Sequence, residues 1–197
     1  MFDLLINEND TEYGILKGNG RLFYVKVGNG GGLFGKDGAY IRIARGIWEK
    51  HGCSVLVASN PTVLTAKECM LLDGAFMEKH FPKTTEIYAF GHSKGGQMLG
   101  SYAYLNPKIK RILALNAPLM INFHKTKEGI ARFSGEQMTF LYGENDPSAR
   151  YTALLNAFGS SSLAGFDCRV LPGADHGFDG MLEEFVSLPD RFLFRHS

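Results

Sequence analysis

The sequence predicts an α/β protein, a mostly parallel sheet of about eight strands with helices on both faces. Two observations carry that expectation. From residue 53 to the end, short apolar runs alternate with stretches of helical spacing, the pattern of parallel strands joined by crossover helices. No linker, internal repeat or low-complexity tract interrupts the 197 residues, so the chain reads as a single domain, 1–197, long enough for a large core.

Taken in order, residues 2–6 read as a short strand and 7–11 as a polar turn. Residues 13–17 and 22–27 are two further extended runs, joined by Gly18-Asn19-Gly20, a hairpin-type turn signal. GNGGGLFG at 28–35 is a glycine-rich loop directly after a strand. Residues 38–50 then place Tyr40, Ile41, Ile43, Ala44, Ile47 and Trp48 at helical spacing. CSVLVA at 53–58 is a strand. Residues 65–80 are a helix with Leu64, Cys69, Leu72, Ala75 and Phe76 toward the sheet, stopped by Pro82. Residues 86–90 form a strand and 94–105 a helix that ends at Asn106-Pro107. Residues 111–115 and 137–142 are strands, and 117–136 between them lacks periodicity. A helix over 148–158, a polar mobile turn over 159–162, a strand over 166–171 and a helix over 178–192 complete the chain. The first two strands are expected to start the sheet antiparallel and the rest to run parallel.

Composition excludes several functions. With 45% hydrophobic and 21% charged residues and a net charge of +1, there is no electrostatic footprint for nucleic acid or an anionic membrane. No apolar run approaches the roughly 20 residues that span a bilayer. The start, MFDLLINEND, lacks the basic region of a signal peptide. Cys53, Cys69 and Cys168 are odd in number and scattered. They point to reduced thiols, a cytoplasmic protein and no metal site.

Chemistry concentrates at three places. Gly91-His92-Ser93-Lys94-Gly95 matches G-x-S-x-G between a strand and a helix, the setting of a nucleophile elbow. Alone the match is weak: with 24 glycines in 197 residues it arises by chance with a probability of roughly 0.2, and the plain alternative is a serine in a tight turn. A serine hydroxyl also needs a base, and that base an acid to orient it. Asp146 follows strand 137–142 within Gly143-Glu144-Asn145-Asp146-Pro147. His176 follows strand 166–171 within Pro172-Gly173-Ala174-Asp175-His176-Gly177-Phe178. In a parallel sheet, loops after strands share one edge, so all three residues belong together. Glu144 and Asp175 are rivals for the acid, although Asp175 adjoins His176 and neighbouring side chains diverge. Asp146 before Pro147 could also be a turn residue. His92 reads as a packing residue, His51, His80 and His196 as helix-end residues, and His124 lies in the unpatterned segment.

With GHSKGG, LYGENDP and GADHGF in the order Ser, Asp, His, the sequence resembles the α/β-hydrolase family over nearly its whole length. The resemblance implies an α/β-hydrolase fold in a small serine esterase-like member. Ser93 would be the nucleophile, Asp146 the orienting acid and His176 the general base. The oxyanion hole would take one N–H from Lys94 and one from loop 28–32. That loop resembles an HGGG-type loop with Asn29 where histidine is often found, so its donor would be Gly30 or Gly31. A lid, inserted in this family after the sixth strand, would be small and confined to 117–136. The expected partner is a small acyl substrate, an ester before a thioester or amide, with no metal or organic cofactor, no nucleic acid and no membrane. Two alternatives stand: a non-catalytic small-molecule binding protein on this scaffold, and a cofactor-free lyase or perhydrolase. The 28–36 stretch also spells G-x-x-x-x-G-K and G-x-G-x-x-G. Asp37 replaces the hydroxyl that a P-loop needs, and no acid follows strand 53–58 for a ribose, so both read as by-products of glycine content. The Lys94 ammonium has two expected fates, reaching solvent or a carboxylate, or reading an anionic substrate.

Overall fold

A computed structural model describes residues 1–195, so His196 lies outside the described residues. Eight strands form one sheet in the order β1-β2-β4-β3-β5-β6-β7-β8. They are β1 (Leu4–Glu8), β2 (Thr11–Leu16), β3 (Asn19–Lys26), β4 (Cys53–Ala58), β5 (Glu86–His92), β6 (Ile109–Leu115), β7 (Gln137–Gly143) and β8 (Phe166–Leu171). β1–β2 and β2–β4 pair antiparallel, and every pair from β4–β3 to β7–β8 is parallel. The expected antiparallel start followed by a parallel sheet is what forms.

The hairpin lies one turn earlier than the glycines suggested. Asn9 and Asp10, both at positive φ, join β1 to β2, as a tight hairpin requires. β2 and β3 do not pair. Gly18 instead carries the chain against β4, where a Cβ would stand 2.4 Å from the Cys53 carbonyl carbon.

Among the described residues six α-helices cover the faces: α1 (Ala39–His51), α2 (Ala66–His80), α3 (Lys94–Tyr102), α4 (Phe123–Arg132), α5 (Thr152–Ser162) and α6 (Leu182–Pro189). Alternating strand residues supply two cores. Leu22 and Tyr24 of β3 pack with α2, α3, α4 and α5, whereas Phe23, Val25 and Val27 pack with α1 and α6. α2 starts with a capping box, Thr65 accepting from the Glu68 N–H while the Glu68 carboxylate accepts from Thr65. Its buried stripe is Cys69, Met70, Asp73, Phe76 and Met77, rotated from the apolar pattern so that Ala75 faces out. The cause is Asp73, which turns inward to an ion pair described below. The 159–162 stretch, expected as a mobile turn, is the end of α5, where Gly159 lets the helix lie against the Phe166 ring. Segment 117–136, expected as a small lid, carries α4, seated so closely on α3 that a Cβ on Gly129 would meet the Gly100 carbonyl at 2.1 Å. Among the described residues no helix is long and apolar enough to cross a membrane.

The connections place the site. After β3 the chain crosses by α1 to β4 on one side. After β4 it returns by α2 on the opposite face to β5 on the other side. The winding therefore reverses between β3 and β5, and the carboxyl ends of these two strands open a crevice there.

Candidate active site

Ser93 stands at that crevice. It joins β5 to α3 with φ 53 and ψ −122, a conformation that costs a residue with a Cβ on the order of 1–3 kcal/mol. The surrounding chain compels it. A Cβ on Gly91 would meet the Gly95 carbonyl carbon at 2.5 Å, and one on Gly95 would meet the Lys26 carbonyl oxygen at 2.0 Å. The elbow glycines are thus required by close approach, as the motif implied.

The structure brings Ser93, His176 and Asp146 together. The His176 Nε2 lies 3.0 Å from the Ser93 Oγ, and its Nδ1 lies 2.5 Å from the Asp146 Oδ2. A carboxylate only accepts, so Nδ1 carries the proton and Nε2 is free to accept from the serine. Asp146 is buried, and its second oxygen accepts from the Ser148 N–H at 2.7 Å. The hydrogen bond to Asp146 raises the His176 imidazole above its ordinary pKa of 6.5, against the opposing effect of burial.

The rival acids have other work. Glu144 accepts from the Gly173 N–H at 2.8 Å, and Asp175 accepts from the Gly177 and Asp179 N–H groups, which holds its carboxyl below the usual range. Asn116 was missed by the sequence reading. Buried at the end of β6 with φ 47, it accepts from the Gly143 N–H and donates to the Asp175 and His176 carbonyls, clamping acid loop to histidine loop. Its sequence signal is slight, one asparagine ending an apolar strand.

The glycine loop lies against the nucleophile: a Cβ on Gly28 would stand 3.5 Å from the Ser93 Cβ. Its N–H groups are unequally occupied. Gly28 donates to the Tyr40 hydroxyl and Gly31 donates to the Gly28 carbonyl at 3.3 Å. Gly31, expected as a donor to substrate, is therefore already engaged in the turn. Asn29 and Gly30 have no internal acceptor among the described residues. The Lys94 N–H opens α3 and has no helical partner.

A cavity of about 550 Å³ opens beside Ser93. Its walls come from the glycine loop and the start of α1, from His92 and Ser93, and from the histidine loop and α6, with Phe34, Tyr40, Phe178 and Phe185 supplying aromatic surface. At its edge the Lys36 ammonium meets the Asp179 carboxylate at 2.5 Å, both exposed. Neither Lys94 nor any residue of 117–136 lines it, among the described residues. Lys94 is half-buried at the start of α3. His51 pairs with Asp190, away from the cavity.

Solved structures share this architecture. The fold is that of the α/β hydrolases. Est1E from Butyrivibrio proteoclasticus superposes with a TM-score of 0.76 over 96% of both chains at 16% identity. An alpha-beta serine hydrolase homologue from Coxiella burnetii gives 0.71 over 98% of both at 16% identity. An esterase of Pyrococcus furiosus gives 0.75 over 96% of this chain and 90% of its own at 13% identity. Est1E has also been seen with ferulic acid bound. No protein-family model matches the sequence, and neither does any curated protein.

Proposed function

We propose that the protein is a serine hydrolase that cleaves a small carboxylic ester through an acyl-Ser93 intermediate. The single observation that carries this reading is the continuous hydrogen-bonded line from the Asp146 Oδ2 through His176 to the Ser93 Oγ. In the first step the Ser93 hydroxyl passes its proton to the His176 Nε2 as the oxygen attacks the ester carbonyl. Asp146 holds the tautomer that leaves Nε2 free and stabilises the imidazolium. The oxyanion is received by the Lys94 N–H and by an N–H of the glycine loop, Asn29 being the first donor there without an internal acceptor. His176 then protonates the departing alcohol. Water, deprotonated by the same imidazole, attacks the acyl group and restores the serine.

The aromatic walls of the cavity suit an acyl group of one ring or a short chain. That Est1E binds ferulic acid makes aryl-acrylic esters sensible members of a substrate panel. The test is labelling with a fluorophosphonate followed by peptide mapping, alongside p-nitrophenyl and methyl esters of acids from acetate to cinnamate. An adduct on Ser93 with turnover of at least one ester is the expected result. No adduct and no turnover across the panel would overturn the reading.

A further inference from the structure

Two side chains beside the nucleophile have no part in the reaction as just described, yet they join the glycine loop to the histidine loop. The Gly28 N–H lies 3.2 Å from the Tyr40 Oη, that oxygen lies 3.2 Å from the His92 Nδ1, and the His92 Nε2 lies 2.9 Å from the His176 carbonyl oxygen. A carbonyl can only accept, so the His92 Nε2 carries the proton and its Nδ1 is bare. The Tyr40 O–H must then donate to Nδ1, which leaves the tyrosine oxygen to accept from Gly28. The chain has a single direction, from Gly28 through Tyr40 and His92 to the backbone of His176.

This direction holds only while His92 is neutral. Its ring lies edge-on to Phe185 at 5.2 Å, and burial pushes its pKa down to about 4. The groups that face it are His176, Asp146 and the Tyr40 hydroxyl. A proton on Nδ1 would turn an acceptor into a donor, reverse the tyrosine and leave the Gly28 N–H without a partner.

The opposite side of Gly28 is held as well. Buried Asn60 donates through its Nδ2 to the Val27 carbonyl and, at 3.5 Å, to the Gly28 carbonyl, which also accepts from Gly31. A peptide unit is planar, with its C=O and N–H pointing opposite ways. Tying down the Gly28 carbonyl therefore aims the Asn29 N–H, which belongs to the same unit. The Gly28 N–H shares its unit with the Val27 carbonyl, so Tyr40 and Asn60 hold that plane at both ends.

We infer that Tyr40, relayed through His92, is a positioning residue of the oxyanion hole: it holds the Val27–Gly28 peptide plane, adjoining the Gly28–Asn29 plane that Asn60 and Gly31 hold, so that the Asn29 N–H meets the developing oxyanion, in register with His176. The inference rests on the acyl-transfer reading. Preorganised donors gain their effect from being aimed before charge develops, so a loosened loop weakens binding of the transition state more than binding of the ester.

The test compares wild type with Tyr40→Phe, His92→Gln and the double variant in the full chain. Tyr40→Phe keeps the ring and loses the bridging oxygen. Its kcat on the best ester is expected to fall about 10–100-fold with KM changed less than about threefold. The inhibition constant of an alkyl boronic acid, which forms a tetrahedral adduct on Ser93, should rise in parallel with the loss in kcat/KM. His92→Gln keeps a donor for the His176 carbonyl and replaces the ring nitrogen that faces Tyr40 with a less rigidly placed amide oxygen, so a smaller loss is expected. The double variant should be no worse than Tyr40→Phe, because both break one chain. A lowered unfolding midpoint with kcat and boronate affinity intact in both single variants would overturn the inference, and so would additive losses in the double variant. Failure of wild type to label at Ser93 or turn over any ester is a different outcome, which removes the acyl-transfer reading and this inference with it.

Discussion

On the face covered by α2 to α5 the sheet buries a full ion pair, whereas on the face covered by α1 and α6 it holds a half-buried imidazole beside an open cavity. The first is Lys26 with Asp73, both fully buried and 2.7 Å apart. Lys26 donates also to the Ser59 carbonyl, and Asp73 accepts from Tyr13 at 2.9 Å and Tyr24 at 2.5 Å, so every charge has a partner. The second is His92 with Tyr40. Both sit beneath the crevice between β3 and β5. The contrast teaches where rigidity and reactivity come from. A closed face can hold charges that never change, and here they support the strand on which Gly95 of the elbow rests. The open face instead keeps a half-buried imidazole and a tyrosine hydroxyl beside Ser93, and its ion pair, Lys36 with Asp179, stands exposed at the cavity edge.

The largest expected effect belongs to the open face. Ser93→Ala keeps the elbow Cβ and should lower kcat on the best ester by about 10³-fold or more, with the urea unfolding midpoint nearly unchanged. Asp146→Asn should cost orders of magnitude in single-turnover acylation, and Asp175→Asn much less, since its carboxylate serves the turn at Gly177 and Asp179. The reverse ranking would transfer the acid to Asp175.

The matching experiment on the closed face is Lys26→Met. It strands the Asp73 charge, so a loss of about 3–5 kcal/mol is expected in urea unfolding. Adding Asp73→Asn removes the stranded charge and keeps an oxygen for the tyrosines, so part of the loss should return. An undiminished unfolding free energy in Lys26→Met would mean that the pair has no role in stability.

Acid sharpens the contrast between the two histidines, whose shifts are opposite in sign. His92 titrates near 4 folded and near 6.5 unfolded, so the unfolded chain binds more protons and stability falls as pH drops through that window, by at most about 3 kcal/mol. His176 is shifted upward by Asp146, so its contribution is fully present below 6.5 and is lost as pH rises through its folded pKa. His92→Gln should therefore flatten the stability decline between pH 6.5 and 4, read by thermal unfolding. Activity should fall on the acid side through a pKa above 6.5, since His176 acts only when neutral. A limb well below 6.5 would contradict the Asp146 hydrogen bond.

The smallest effect belongs to Lys94. Its side chain is absent from the cavity wall, so Lys94→Met should change kcat/KM for neutral esters and for hemisuccinates alike by less than about threefold. A selective loss on the anionic esters would bring the ammonium back to the substrate.

Much of this is legible in the sequence. The sequence marks β4 and β8 to the residue, because each is a short stretch bounded on both sides by glycine, proline or polar turn residues. The elbow, the Asp146 loop and the His176 loop each carry their signal within a few residues, and strand order alone puts them at one edge. The boundaries that moved are those set by distant partners. Asp73 rotates α2 toward Lys26, and Gly159 keeps α5 going past its polar end because Phe166 is there to receive it.

Residue types at short range already carry the alternation of strand and helix and the chemical identity of Ser93, Asp146 and His176. The folded chain alone sets which face holds the cavity and which N–H groups of the glycine loop remain free. It also decided that Lys26, Tyr40, His92 and Asn116 are polar partners rather than ordinary strand, helix and turn residues. Each of these four polar partnerships rests on a contact between residues at least 12 positions apart, and for most more than 25, as with Tyr40 and His92 at 52. A hydrogen bond across that separation leaves no periodicity in the chain, because its two ends are brought together only when the strands have paired.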